Sequence, residues 1–198
     1  MNIFITPTIK KIKTETYLCV DNNLIKFLKK IFNKPNIEFS NLIHKKPQLI
    51  IFSGGNNLIQ LSKTKEDRIR NYIDQNVFNY GIKNKIKMIG ICGGAQFLAK
   101  KFGSKISKIN NHVGNHKIYF NEKNKPKIFK KEQVVNSYHN FGIKKISKEL
   151  KLIATAKDKS VEFFIHKKKK IIGIMWHPER YKKFNNLDKY IFREKIWN

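Results

Sequence analysis

The chain has 198 residues and a formal charge of +28, from 42 basic against 14 acidic side chains, with 40% hydrophobic residues. That length and apolar content suit one domain with its own core. No run reaches the roughly 18 apolar residues of a membrane span, and two distant cysteines, Cys19 and Cys92, make no disulfide framework.

The charge is a weak argument for nucleic acid. Of the basic residues 38 are lysine, spread along a chain rich in Ile and Asn, as A/T-rich codons would give. Only Arg68, Arg70, Arg180 and Arg193 could fork to a base. We expect no nucleic-acid partner and no membrane, although an electropositive surface would favour an anionic small substrate. The start, Met1-Asn2-Ile3-Phe4-Ile5-Thr6-Pro7, lacks the basic segment and long apolar stretch of a signal peptide. A cytoplasmic, reducing setting is expected, which suits a free thiol.

In chain order, Asn2 to Ile5 reads as a strand and Asp21 to Phe32 as a helix, with Leu24, Phe27, Leu28, Ile31 and Phe32 on one face and Pro35 as its stop. Gln48 to Phe52 is a short apolar strand ending in the turn Ser53-Gly54-Gly55-Asn56. Thr64 caps a helix to about Tyr80, with the stripe Ile69, Tyr72, Ile73, Val77 and a closing Gly81. A strand over Ile86 to Ile91 follows, then a helix over Ala95 to Lys101 ended by Gly103. Strand–helix alternation of this kind predicts a parallel sheet with helices on both faces. The second half predicts strands at His116 to Phe120, Gln133 to Asn136, Leu150 to Ala156, Val161 to Ile165 and Ile171 to Trp176, with antiparallel pairing from Ala154 to Ile174 and a final helix over Tyr190 to Trp197. Lys167 to Lys170 reads as a solvated hairpin tip.

The chemistry gathers at Gly90-Ile91-Cys92-Gly93-Gly94, a strand running into a sharp turn with a helix behind it. It is the thiol form of a nucleophile elbow: glycine relieves the crowding, and the free N–H groups of the helix favour an ionised sulfur. Near the other end, the apolar strand Ile171 to Trp176 runs into His177-Pro178-Glu179, where the proline stiffens the strand end. His177 is the candidate base, with Glu179 to orient it, beside Cys92 as nucleophile. The N–H of Gly93 and the Gly54-Gly55 turn are candidate oxyanion donors, both at carboxyl ends of parallel strands.

Three separated segments, Gly90 to Gln96, Val135 to Ile143 and Gly173 to Glu179, resemble the class I glutamine amidotransferase superfamily, with Ser53-Gly54-Gly55 a fourth, weaker match. Val135-Asn136-Ser137-Tyr138-His139 and the Trp-His-Pro-Glu ending are most similar to the γ-glutamyl hydrolase-like branch, which includes γ-glutamyl-γ-aminobutyrate hydrolases. In length the chain is similar to small γ-glutamyl-CDP-amidate hydrolase-like proteins of surface-polysaccharide pathways. The resemblance implies a single domain over residues 1–198, an α/β three-layer sandwich of flavodoxin-like type, with a mostly parallel central sheet and an added antiparallel section. It also implies a γ-glutamyl thioester on Cys92, proton transfer by His177, and substrate contacts from Gln96, Ser137, Tyr138 and His139. Gly93 stands where a larger residue is usual, and Asn56-Asn57 where relatives carry an acidic one.

Cys19, without such a context, reads as structural. His112 and His116 have the spacing of two metal ligands on a helix, but Val113-Gly114-Asn115 is a poor helix and no further Cys or acidic cluster adjoins, so no metal is expected. No phosphate loop of the G-x-x-x-x-G-K-[ST] type is present, so no ATP binding and no built-in synthetase activity are expected. No cofactor is expected. The leading expectation is a cysteine hydrolase that releases glutamate from a γ-glutamyl amide, such as a nucleotide-amidate. The alternative is a glutaminase subunit that supplies ammonia to a separate synthase partner.

Overall fold

The computed structural model describes residues 1–110, 112–127, 129–183 and 185–193. Five parallel strands form the heart of one sheet: β1 (Asn2–Thr6), β4 (Asn36–Glu38), β5 (Leu49–Phe52), β6 (Lys87–Ile91) and β13 (Ile171–Ile174). Their order is β4-β1-β5-β6-β13. Antiparallel strands extend it: β12 (Val161–His166), β11 (Leu150–Ala156), β8 (Val113–Phe120) and β9 (Glu132–Tyr138) in that order, with β10 (Phe141–Lys145) on β12 and β7 (Lys105–Lys108) on β10.

Side-chain alternation sorts the core into two layers. Ile3, Ile5, Leu49, Ile51, Ile89 and Ile91 face one way, against α1 (Asn22–Ile31) and α4 (Asn186–Arg193). Phe4, Ile50, Phe52 and Met88 face the other, against α2 (Lys65–Lys83) and α3 (Gly93–Lys101). The result is the expected α/β three-layer sandwich, and its flanking helices lie on both faces as the alternation implied. The Lys167 to Lys170 run is the exposed link between β12 and β13.

Capping explains the helix starts. Asp21 accepts from the N–H of Asn23, and Thr64 from that of Asp67, each contact of a kind that contributes about 1 kcal/mol. Helix α2 departs from its expected stripe. Tyr72 is 68% exposed, and the buried face instead carries Asp67, Arg70 and Asp74 beside Ile73, Val77 and Phe78. Gly81 lies inside the helix rather than after it. A methyl group there would stand 2.8 Å from Met88 Sδ, so the glycine lets α2 sit close on β6.

The hairpin of β2 (Thr8–Ile12) and β3 (Glu15–Cys19), a separate two-stranded sheet, was not anticipated, nor were β4, β7 and β10. These strands are short or largely exposed, so hydrophobic alternation is faint in them. The last helix begins earlier than expected, and residues 194–198 lie outside the described part. No helix among the described residues is long and apolar enough to cross a membrane.

Candidate active site

Three adjacent parallel strands end at one edge of the sheet. Phe52 of β5 pairs with Gly90 of β6, and Gly90 with Gly173 of β13. The segments that follow, Ser53-Gly54-Gly55, Cys92-Gly93-Gly94 and Trp176-His177, therefore emerge side by side. The N–H of Cys92 donates to Ile174 O at 2.8 Å and ties the elbow to the strand that leads to His177.

Cys92 is strained, with φ 49° and ψ −108°, a conformation non-glycine residues rarely adopt. Close packing of glycine makes the turn possible. A methyl group on Gly94 would lie 2.0 Å from Phe52 O, and one on Gly90 2.6 Å from Ala95 N. Gly93 is under no such demand, since its methyl group would stand 3.4 Å from Asn56 O.

His177 is buried, and its Nδ1 lies 2.6 Å from Glu179 Oε1. Burial disfavours a charged imidazole there, but hydrogen bonding to Cys92 and to Glu179 outweighs it and lifts the pKa to about 9. The three residues singled out for catalysis thus meet. Gly54 fills the space beside them: a methyl group on it would stand 2.8 Å from His177 Cε1 and 3.5 Å from Cys92 Cβ. Gly55 has φ 126°, and its N lies 3.8 Å from where a Gly93 methyl group would be, so the two candidate oxyanion turns converge. A cleft of about 410 Å³ opens alongside, lined in part by Thr8, Gly54, Gly55, His177 and Arg180.

Of the four expected substrate residues, Tyr138 meets this site. Its ring packs edge-on to His177 at 5.7 Å, with the Arg180 guanidinium 4.4 Å from its centre. The side chains of the other three are engaged elsewhere. Gln96 Nε2 donates to Phe141 O, and Ser137 Oγ donates to His112 O at 2.6 Å. His139 turns to Glu162, and burial together with repulsion from His112 and His116 lowers its pKa to about 4.

Several residues that shape the site had no assigned role in the sequence. Asn136 holds the His177 peptide through both ends of its side-chain amide. Arg70 donates to Ser53 O at 2.8 Å and to Thr6 Oγ1 at 2.9 Å, with Asp74 at 2.8 Å as its counter-ion, which fixes the strand ends behind the Gly54 turn. Asp67 accepts from the N–H of Asn57, and Asn56 holds both backbone groups of Ile9, so α2 and β2 brace that turn from either side. Trp176 is wholly buried and donates from Nε1 to Asp188 Oδ1.

Comparison with known proteins finds relatives in sequence and in fold. A γ-glutamyl-CDP-amidate hydrolase of Campylobacter jejuni is 38% identical over 138 residues, which cover 70% of this chain and 65% of that protein. One of the subunits of the glutamine-hydrolysing GMP synthase of Picrophilus torridus is 34% identical over 133 residues, 66% of each. The match thus spans a little under two thirds of both relatives. Among solved structures, a Thermoplasma acidophilum protein assigned provisionally as a GMP synthase subunit shares the fold with TM-score 0.73 at 22% identity, over 98% of this chain and 90% of its own. The family model for glutamine amidotransferase class-I matches residues 19–197, and the chain belongs to that family.

Proposed function

We propose that this chain is a cysteine-dependent amidohydrolase that cleaves a γ-glutamyl amide through a γ-glutamyl thioester on Cys92. The observation that carries the reading is His177, engaged by Glu179 on one side and by Cys92 on the other, with a pKa of about 9. At neutral pH such an imidazole holds its proton, which suits a thiolate partner. The Cys92 sulfur attacks the γ-carbonyl carbon, and the displaced electron pair on oxygen is received by the Gly93 N–H and the Gly54-Gly55 turn. As the C–N bond breaks, His177 gives its proton to the departing amine. Water then attacks the thioester and loses a proton to His177, the C–S bond breaks, and glutamate leaves.

Tyr138 is the side chain we retain as a flanking contact of the glutamyl end. Gln96, Ser137 and His139 act through the backbone they hold, at Phe141 and at His112.

The relatives weigh towards the glutaminase-subunit expectation for the amine. Beside the Picrophilus protein, the corresponding GMP synthase subunit of Methanococcus vannielii matches at 28% identity over 75% of this chain. On that reading the substrate is glutamine and the ammonia passes to a separate synthase. The free-standing hydrolase keeps one specific support, the 38% identity to the Campylobacter enzyme.

The test is glutamate release by the purified protein alone, from glutamine and from a panel of γ-glutamyl amides that includes a γ-glutamyl nucleotide amidate. Fast turnover of one panel member supports the hydrolase. Slow release from every compound, accelerated by a cognate synthase, supports the ammonia-supplying role. Unchanged turnover in Cys92→Ala would overturn the chemistry itself.

A further inference from the structure

A second cluster of chemistry-bearing side chains stands outside the Cys92 site. His112 lies just before β8, His116 lies within it, and Glu162 reaches them from β12. The two grounds for expecting no metal are both met differently in the fold. His112 directly precedes β8 and His116 lies within it, with Gly114 at φ 105° between them, and their ring centres stand 4.7 Å apart, so no helix is needed. An acidic group also adjoins, brought in from nearly fifty positions along the chain by sheet pairing.

We propose that His112, His116 and Glu162 form a binding site for a divalent transition-metal cation, zinc foremost, that staples β8 to β12.

The side chains are placed for ligation rather than for hydrogen bonding to one another. His112 Nδ1 stands 3.4 Å from Glu162 Oε1, and His116 Nε2 stands 3.5 Å from Glu162 Oε2. Those separations are long for hydrogen bonds. Each is close to the roughly 3.4 Å between two ligands that lie about 2.1 Å from a tetrahedral ion, with one carboxylate oxygen facing each imidazole. One ligand atom from each residue falls within 4.8 Å of the others, so binding would draw the three slightly inward.

Unmet polarity is concentrated here. Glu162 is fully buried, and among the described residues neither its oxygens nor His112 Nδ1 and His116 Nε2 make a hydrogen bond of good geometry; they face one another, and His139 Nε2 stands 3.7 Å from Glu162 Oε1. Buried polar groups so loosely engaged are costly, and an ion would engage them together. The far side of His112 faces a second carboxylate, Asp158 Oδ1, 3.4 Å from Nε2. A carboxylate behind a ligating imidazole fixes its orientation. A surface depression of about 590 Å³ lined by His112, His116 and Asp158 gives an approach from that side. Two imidazoles with one carboxylate suit zinc, with cobalt, nickel and ferrous iron as competitors.

The test uses untagged full-length protein carrying Cys92→Ser, which removes the competing active-site thiol, stripped by dialysis against a chelator. It is titrated with Zn2+ by calorimetry and with Co2+ by visible absorption. One ion per chain and the intense d–d bands of tetrahedral cobalt are expected, together with a higher thermal midpoint in excess Zn2+. His116→Ala should weaken binding at least about tenfold. Glu162→Gln should do the same but disturbs a fully buried position, so partly exposed His116 keeps the test decisive. No bound ion in the Cys92→Ser protein, or equal affinity in His116→Ala, would overturn the site and leave the cluster as imidazole–carboxylate pairs alone.

Discussion

The side-chain amide of Asn136 brackets the peptide of His177, donating from Nδ2 to His177 O and accepting the His177 N–H at Oδ1, both at 2.8 Å. Both residues are buried, so the pair fixes where the imidazole stands without touching the ring. Asn136 is thus a positioning residue. Asn136→Ala removes both bonds and frees the strand end, and a displacement of about 1 Å can cost roughly a hundredfold in rate. The expected result is a fall of that order in kcat with KM for a γ-glutamyl amide little changed. Steady-state kinetics on the two parameters separately checks this, and an unaltered kcat would remove Asn136 from the mechanism.

The elbow glycines should respond unequally to an added methyl group. Gly94→Ala places a carbon 2.0 Å from Phe52 O, a clash with backbone that nothing nearby can relieve. Overpacking of this kind typically costs about 1–3 kcal/mol and here should exceed that range. Gly93→Ala meets Asn56 O at 3.4 Å, nearly ordinary contact, and should leave the urea midpoint within experimental scatter. Equal destabilisation of the two variants in urea melts would mean the elbow is not held as described.

Much of this was legible from the chain alone, where chemistry depends on residues close in sequence. The Cys92 elbow and the His177-Pro178-Glu179 ending carry their meaning in short motifs, and parallel pairing of β6 with β13 was enough to unite them. What escaped is long-range. Glu162 reads as one polar residue in an apolar strand until the sheet sets it against two histidines at β8. The Lys-rich β2–β3 hairpin has too exposed a surface for alternation to reveal it. The arginines carry a further signal. In a chain with so few arginines, each is informative: Arg70 clamps the Gly54 turn, Arg180 stacks on Tyr138, and Arg193 bonds carbonyls at the end of α1. Planar, multidentate donors serve such tasks better than lysine.

The charge on His177 predicts a basic limit to activity. Burial opposes protonation, but the bonds to Cys92 and Glu179 raise the pKa from an ordinary value near 6.5 to about 9. A raised folded-state pKa stabilises the protonated protein. That contribution is complete below about pH 6.5 and is lost as pH rises through 9. Turnover of a γ-glutamyl amide should fall over the same upper range, because the leaving amine then lacks its acid. Glu179→Gln removes one of the two supports and should move the falling limb of kcat/KM towards neutrality. A pH–rate profile with that limb unmoved would separate Glu179 from the charge on His177.

Asp188 behaves in the opposite chemical sense to an ordinary surface carboxylate. It is fully buried, and desolvation raises its pKa to about 7 against the lowering effect of hydrogen bonds from the Trp176 indole and near Asn185, while the charge of Glu179 adds to the rise. The neutral acid is therefore the form the fold prefers. Its contribution is complete below about pH 4 and is lost as pH climbs through 7, where the core must either ionise the group or hold it protonated at a cost. Asp188→Asn keeps an oxygen for Trp176 Nε1 and cannot ionise. Its melting temperature should match the parent at about pH 4 and exceed it at pH 8, when both are followed by thermal unfolding in the same buffers. Because the bond that holds Trp176, the neighbour of His177, is kept, the gain at pH 8 should come without loss of turnover. A variant whose stability relative to the parent is no higher at pH 8 than at low pH would show that the neutral acid is not the favoured form there.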